Sequence, residues 1–159
     1  MYDLHRDLLD ALNATHETLT GLLAGVSEAQ ARQATGGDEN WSVVEVICHL
    51  RDAEEISIQR TLAMRDQDNP LIIGYDQEAL ARERKYHEAD LQSALAGFIA
   101  FRQRHLEVLA GLVPEQWDRS GRHNEFGDIN IFAFAIHKVS HDAIHCAQIA
   151  RQLKLVTDD

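Results

Sequence analysis

Three histidines recur at a spacing of four in the segment HKVSHDAIHCAQ, which covers residues 137–148. At about 100° per residue, side chains four apart on a helix lie within about 40° of each other, one turn along the axis. The rings of His141 and His145 can therefore reach one ion. His137 lies roughly a further 40° around the helix and is less suited to share it. The spacing predicts His141 and His145 as a pair of metal ligands.

A third ligand would have to come from elsewhere in the chain, and His49 is the best candidate. It lies on the apolar face predicted for the second long helix, where an unpaired imidazole would cost on the order of 1–3 kcal/mol. Coordination would remove that cost, and three protein ligands leave positions open for water or substrate. The alternative is that these are ordinary core or surface histidines. Spacing alone leaves both interpretations open.

Polar residues beside the proposed ligands could orient them. Gln148 follows His145 by three residues and could hydrogen-bond to its imidazole or to a bound water. Glu45 and Asp52 flank His49 and could orient its ring, although Glu45 is also placed to cap its own helix. We therefore treat Gln148, Glu45 and Asp52 as candidate partners of the site and assign no catalytic residue.

The cysteines, Asp142 and the remaining histidines are reactive residue types, but we expect structural or solvent-exposed positions for most of them. Cys48 and Cys146 each adjoin a proposed ligand but point about 100° away from it, so we expect small, buried side chains. Asp142 points away from His141 in the same way and would serve another helix or no partner. His123 stands in a polar segment that could lie at the mouth of the fold. The other histidines are predicted on solvent-exposed faces: His5, His16, His87 and His105.

Four long segments of helical period position these side chains, because apolar residues recur in each at steps of three and four. Ser42 and Glu45 form a capping box at the start of the second helix, Asp90 caps the third, and Pro114 begins a one-turn connector. The predicted helices span residues 2–24, 42–65, 90–112 and 128–153.

A connection of roughly 20 residues separates the second and third helices, with a short helix predicted from about residue 76 to 86. Antiparallel neighbours in simple bundles are joined by much shorter loops. Residues 1–159 are therefore predicted to form a single all-α domain, a four-helix bundle with a long crossover between helices 2 and 3.

Composition narrows the functional classes. Hydrophobic residues make up 45% of the 159 residues, and the formal net charge is −11 without any basic stripe, which argues against nucleic-acid binding. The N-terminal segment is acidic and unlike a signal peptide, and no apolar run approaches the roughly 20 residues that span a bilayer. With only two cysteines, we expect a cytoplasmic protein without membrane partners.

Three segments carry a resemblance to a known family: NWSVVEVICHL around His49, PEQWDRSGRHNEFGD before the last helix, and HDAIHCAQIARQL within it. They are similar to those of the DinB-like or YfiT-like superfamily of small bacterial bundle proteins. The resemblance implies a four-helix bundle with a long crossover and a divalent ion, zinc or nickel, held by three histidines. Carried over to this chain, the ligands are His49, His141 and His145, and none departs from the family pattern.

The resemblance also implies a range of activities. Some members of the superfamily transfer a low-molecular-weight thiol to an electrophile with the help of a metal, and others are isomerases or hydrolases. We therefore expect a metal-dependent thiol transferase or hydrolase that acts on a small molecule. The alternative is a non-catalytic metal-binding or stress-response protein whose site is structural or vacant. The roles of His123 and His137 stay open.

A second apolar seam runs along the last helix, nearly opposite His141 and His145. Small residues within it would let another helix approach closely. We predict that part of this seam forms a homodimer, as in many members of the family, with the intramolecular core as the alternative. The seam consists of Ile129, Phe132, Ile136, Val139, Ala143, Cys146, Ala150 and Leu153.

Overall fold

A computed structural model describes residues 3–34 and 40–157 of the chain. Four long helices form a bundle and confirm the predicted all-α class. They are α1 (Leu4–Leu23), α3 (Val43–Asp66), α5 (Leu91–Ala110) and α6 (Ile131–Thr157). The shorter helices are α2 (Glu28–Arg32) and α4 (Gln77–Glu83).

Local capping explains where most of these helices begin. The Asp3 carboxylate accepts hydrogen bonds from backbone amides in the first turn of α1, and Asp90 does the same at α5. At α3, the Ser42 hydroxyl accepts from the Glu45 amide while the Glu45 carboxylate accepts from the Ser42 amide. Each cap satisfies amides that have no partner within the helix. The predicted starts of these three helices are accurate because the signals are local.

The crossover between α3 and α5 contains more than the predicted short helix. A strand, β1 (Leu71–Ile72), comes first and α4 follows, ending at Glu83. Lys85 then adopts a left-handed backbone conformation with a φ of 52°, which starts a separate 3-10 turn, Tyr86–Glu88. The predicted helix through residue 86 is thus divided in two.

A small sheet at one end of the bundle was not predicted. Strands β2 (Ser120–His123) and β3 (Gly127–Asn130) form a hairpin, and β1 pairs in parallel with β2. The last helix consequently begins at Ile131 and not at Asp128, because residues 128–130 pair with β2. The Asn130 side chain accepts a hydrogen bond from the Ala133 amide at this start.

The interior divides into two apolar clusters with a polar layer between them. One cluster gathers residues such as Ile47, Phe98 and Ile149, and the other gathers residues such as Leu12 and Leu109. Most of the buried polar residues on the long helices fall between the positions assigned to the two clusters, and His49 follows Cys48 at the edge of the first cluster. This layer contains Thr15, His49, Glu54, Ser57, Thr61, Arg102, His105, Lys138, Asp142 and His145.

The seam proposed on α6 is only partly free. Phe132 and Val139 pack against one apolar cluster, Cys146 packs against the other, and Leu153 is buried within it. Ile136 remains exposed. Much of the seam therefore serves the intramolecular core. No helix among residues 3–34 and 40–157 is long and apolar enough to cross a membrane.

Candidate metal centre

The three histidines selected from the sequence meet inside the bundle. His49 projects from α3, and His141 and His145 project from α6. One ring nitrogen from each lies within 4.8 Å of the other two, and the Nε2 atoms of His49 and His141 are 3.0 Å apart. In the part of the chain that the structure describes, no other group of three potential ligands comes together in this way.

His137, the first histidine of the spaced series, does not join this cluster. Its ring centroid is 6.3 Å from that of His141, and the side chain is exposed. The drift around the helix that accompanies each step of four residues accounts for this position. The ring instead lines the mouth of the adjacent cavity.

Hydrogen bonds fix the orientation of one ligand. Nδ1 of His145 lies 2.8 Å from Oε1 of Gln148, an oxygen that can only accept, so Nδ1 carries the hydrogen. Nε2 is then left with a lone pair, the state that binds a metal. Trp41 packs against the His49 ring with centroids 5.2 Å apart, which restricts the rotation of that ring.

The two other proposed partners have different contacts. Glu45 is engaged in the capping box of α3. The Asp52 carboxylate accepts from the Tyr86 hydroxyl at 2.7 Å and pairs with Arg51 and Arg84. These contacts tie α3 to the crossover and give Glu45 and Asp52 structural partners. That either residue orients His49 stays a prediction.

Burial keeps two of the imidazoles neutral. Desolvation, followed by the neighbouring histidines and Lys138, lowers the pKa of His49 to about 2. Desolvation also lowers the pKa of His141 to about 4, against an opposing contribution from Asp142. Neutral imidazoles have the lone pairs that coordination requires, so both residues are ready to bind a metal without first losing a proton.

The cysteines are unsuited to act as nucleophiles. Burial raises the pKa of Cys48 and that of Cys146 to about 11. Both side chains are thus protonated thiols at neutral pH, and the thiolate is the reactive form. Their expected role as small packing residues agrees with this environment.

A network of buried charges lies beside the three histidines. Arg102 donates two hydrogen bonds to the Glu54 carboxylate, at 2.8 and 2.9 Å, and pairs with Asp142 at 2.7 Å. Lys138 lies 3.3 Å from Glu54. Although burial favours the neutral acid, Lys138, His105 and Arg102 hold the pKa of Glu54 well below its usual range. The network joins α3, α5 and α6 at the level of the site.

His105 belongs to this network, which makes its predicted exposure wrong. Nδ1 of His105 lies 2.7 Å from Glu54, and Nε2 lies 3.0 Å from the Thr61 hydroxyl. The Asp142 carboxylate also accepts a hydrogen bond from Thr15 on α1 at 2.8 Å. Asp142 therefore serves other helices, as its direction on α6 suggested.

A cavity of about 200 Å³ opens from the histidine cluster toward the small sheet. His49 and His141 line its inner end, together with Lys138. At the sheet, His123 is buried and its Nδ1 accepts hydrogen bonds from the amides of Glu125 and Phe126. The sequence placed His123 in a loop at the mouth, whereas the structure places it in β2 beside the cavity.

The donor set suits a divalent metal ion. The Nε2 atoms of His49 and His141, 3.0 Å apart, are close enough for both to bind one ion. Three neutral imidazoles suit zinc, nickel, copper and iron, so the ligands do not distinguish among these metals.

Comparisons with known proteins agree with the fold and identify the family. A family model described as the DinB superfamily matches residues 11–149. A protein from Oceanobacillus iheyensis, named as a candidate metal-dependent hydrolase, is 30% identical over 105 residues. This match covers 64% of the chain and 60% of that protein, so the chain spans less than two thirds of its length.

Two solved structures share the architecture. YfiT from Bacillus subtilis, described as a probable metal-dependent hydrolase with an unusual four-helix bundle topology, superposes with a TM-score of 0.86 at 21% identity. The alignment covers 96% of this chain and 88% of YfiT. A Streptococcus pneumoniae protein gives a TM-score of 0.72 at 13% identity and covers 98% of this chain and 93% of its own.

Proposed function

The chain belongs to the DinB superfamily, and on that premise we propose that it is a divalent-metal-dependent hydrolase of a small molecule. One observation carries the proposal: imidazole nitrogens from α3 and α6 lie within 4.8 Å of one another, and two of the three rings line a cavity. Relatives named or described as metal-dependent hydrolases support it. His49, His141 and His145 would hold the ion.

A bound ion would activate the reacting groups, and the side chains of the protein would hold the ligands of that ion in place. A divalent ion with open coordination positions lowers the pKa of a water or thiol that it binds and polarises a carbonyl oxygen. Gln148 holds the His145 ring in one tautomer, and Trp41 packs beside His49. His49 and His145 are buried, and His141 is half-buried at the cavity.

The experiment is a hydrolysis assay on untagged protein with a panel of small esters and amides. We expect turnover that is lost after chelation, regained when zinc or nickel is added, and absent in His141→Ala under every condition. A protein with bound metal and no turnover across the panel would contradict the proposal. If chelation then lowered the melting temperature strongly, the alternative of a structural metal in a non-catalytic or stress-response protein would be favoured.

Thiol transfer is the second candidate reaction. The cysteines of the chain are protonated at neutral pH, because burial raises the pKa of Cys48 and of Cys146 to about 11. A thiol nucleophile would therefore have to arrive as a small co-substrate. Adding cysteine or coenzyme A to the same assay distinguishes the reactions: transfer from an ester yields a thioester and the alcohol, and hydrolysis yields the free acid and the alcohol.

We also propose that the exposed part of the α6 seam joins two copies of the chain. Ile136 and Ala143 of the seam are exposed, and Ile144, which adjoins the seam, is exposed as well. Light scattering at micromolar concentration tests this, and a mass equal to one chain would contradict it. The cytoplasmic location stays a prediction from the sequence.

A further inference from the structure

The ammonium group of Lys138 is the least satisfied polar group beside the histidine cluster. Lys138 is 3% exposed, and its Nζ atom is buried without a hydrogen bond among the described residues. Its nearest charged neighbour is Glu54, with an N–O distance of 3.3 Å. An ammonium has three donors, and buried donors that lack acceptors cost free energy. A group that enters the cavity can supply the missing acceptors.

The position of Lys138 directs those donors toward the cavity. Lys138 precedes His141 by three residues, so both side chains lie on the same face of α6. Both also line the cavity, as does Arg60 of α3. The Glu54 carboxylate already accepts two hydrogen bonds from Arg102 and one from His105, so it has about one acceptor site left for the three donors of Lys138.

The charge of the residues that line the cavity is opposite in sign to the net charge of the protein. The chain carries a formal net charge of −11, yet the described residues that line the cavity include two permanent cations, Arg60 and Lys138, and one carboxylate, Glu125. Glu125 is exposed. Arg60 and Lys138 approach the cavity from α3 and α6, the two helices that also carry His49 and His141.

The buried charges beside the cavity are already balanced. Glu54 and Asp142 carry two negative charges, and Arg102 and Lys138 carry two positive ones. Lys138 therefore contributes unused hydrogen-bond donors to the cavity, whereas the positive charge of Arg60 is additional. A divalent ion on three neutral imidazoles would add two positive charges to this region, and a ligand of negative charge would compensate them. The argument from the divalent ion rests on the proposed function. The missing hydrogen bonds of the Lys138 Nζ atom and the presence of two cations in the cavity wall do not depend on it.

We propose that Lys138 and Arg60 form a subsite for an anionic oxygen group of the substrate, a carboxylate or a phosphate, next to the three histidines. The cavity volume of about 200 Å³ is below the range of about 300–1,000 Å³ for pockets that take drug-sized ligands. The enclosed part of the substrate is therefore a small acid or the acidic end of a longer molecule.

The test is an NMR titration of the full chain with sodium acetate, acetamide and inorganic phosphate at constant ionic strength. Acetamide has nearly the shape of acetate without its charge. Lys138→Met and Arg60→Met remove one cation each, and Lys154→Met is the control because Lys154 is exposed on the same helix. Metal content is measured in every sample, and each titration is done with zinc-loaded and with metal-free protein.

We expect acetate or phosphate to bind at least about tenfold more tightly than acetamide, and each cavity variant to weaken oxyanion binding about tenfold or more. Lys154→Met should bind like the unaltered chain. Equal binding of acetate and acetamide, or unchanged oxyanion binding in both cavity variants, would overturn the subsite. Arg60 is only half-buried, so Arg60→Met keeps the test decisive if Lys138→Met does not fold.

The zinc measurement separates this inference from the proposed function. Failure to bind zinc would contradict the metal site, but the metal-free titrations would still decide whether Lys138 and Arg60 bind an oxyanion. Zinc binding with no oxyanion selectivity in either state would leave the metal site in place and overturn the subsite alone.

Discussion

The Nε2 atoms of His49 and His141 lie 3.0 Å apart although 92 positions of sequence separate the two residues. Burial lowers the pKa of each imidazole, so neither ring carries a positive charge at neutral pH. Two neutral rings at this distance either share a hydrogen or bind a common ion. A common ion would use the lone pairs of both rings and that of His145, which lies beside them.

Metal content is the most direct check of this arrangement. Protein purified without a histidine tag should contain about one divalent ion per chain, because three neutral imidazoles surround a single point. His141→Ala should reduce the content to near zero, since two remaining ligands bind an ion far less well. Elemental analysis measures both. His87→Ala is the control because this histidine is exposed, and equal metal in all three proteins would rule out the predicted ligands.

Removal of the Gln148 side-chain amide should weaken metal binding without abolishing it. Gln148 accepts a hydrogen bond from Nδ1 of His145 at 2.8 Å and so holds the ring in the metal-binding tautomer. Loss of such a contact costs about 10–100-fold in metal affinity. Competition between Gln148→Leu and a chromogenic chelator gives the affinity, with Gln92→Leu on the exposed face of α5 as the matched control. An unchanged affinity would show that packing alone orients His145.

The parts of the molecule that were predictable from sequence are those with local causes. Ser42 and Glu45 form a capping box within four residues, and the predicted cap at Asp90 starts α5. His49, His141 and His145 were selected from their spacing, from an apolar face and from a family resemblance. The structure brings them together, and their role as ligands stays a prediction.

The features that the sequence did not predict depend on contacts with residues far away along the chain. His105 sits on a helix with charged neighbours and was assigned to solvent, but Glu54 and Thr61 on α3 bury it by supplying hydrogen bonds. Arg102 is buried for the same reason. The segment Ser120–His123 lacks an alternating apolar pattern, and it becomes a strand through backbone pairing with β1 and β3.

The metal-free protein should lose stability as the pH falls below about 6.5. His49 and His141 have lowered pKa values in the folded chain, so the unfolded chain binds protons that the folded chain does not. Between the ordinary histidine pKa of about 6.5 and the folded values, the free energy of unfolding falls by up to about 1.4 kcal/mol per pH unit for each residue. Above a pH of about 6.5 both histidines are neutral in the folded and in the unfolded chain, so they no longer make the free energy of unfolding depend on pH.

Urea unfolding of EDTA-treated protein between pH 7.5 and 4.5 measures this dependence. His141→Gln should flatten the profile because it removes one of the two histidines whose pKa is lowered furthest, and the exposed His87→Gln should follow the unaltered chain. A profile in His141→Gln as steep as that of the unaltered chain would show that His141 is not held neutral in the folded state.

Arg102→Met should be among the most destabilising single substitutions in the polar layer. Arg102 neutralises Glu54 and Asp142 and also donates to the Leu12 carbonyl at 2.6 Å, while its side chain is almost fully buried. Methionine would leave two carboxylates with only Lys138 as an offsetting charge, and breaking a buried ion pair from one side costs about 3–5 kcal/mol.

Arg104→Met is the matched control, because Arg104 pairs with Glu107 in solvent and such pairs contribute about 0–1 kcal/mol. Urea unfolding at pH 7.5 measures both, and similar stabilities for the two variants would mean that water reaches Glu54 and Asp142 when the guanidinium is removed.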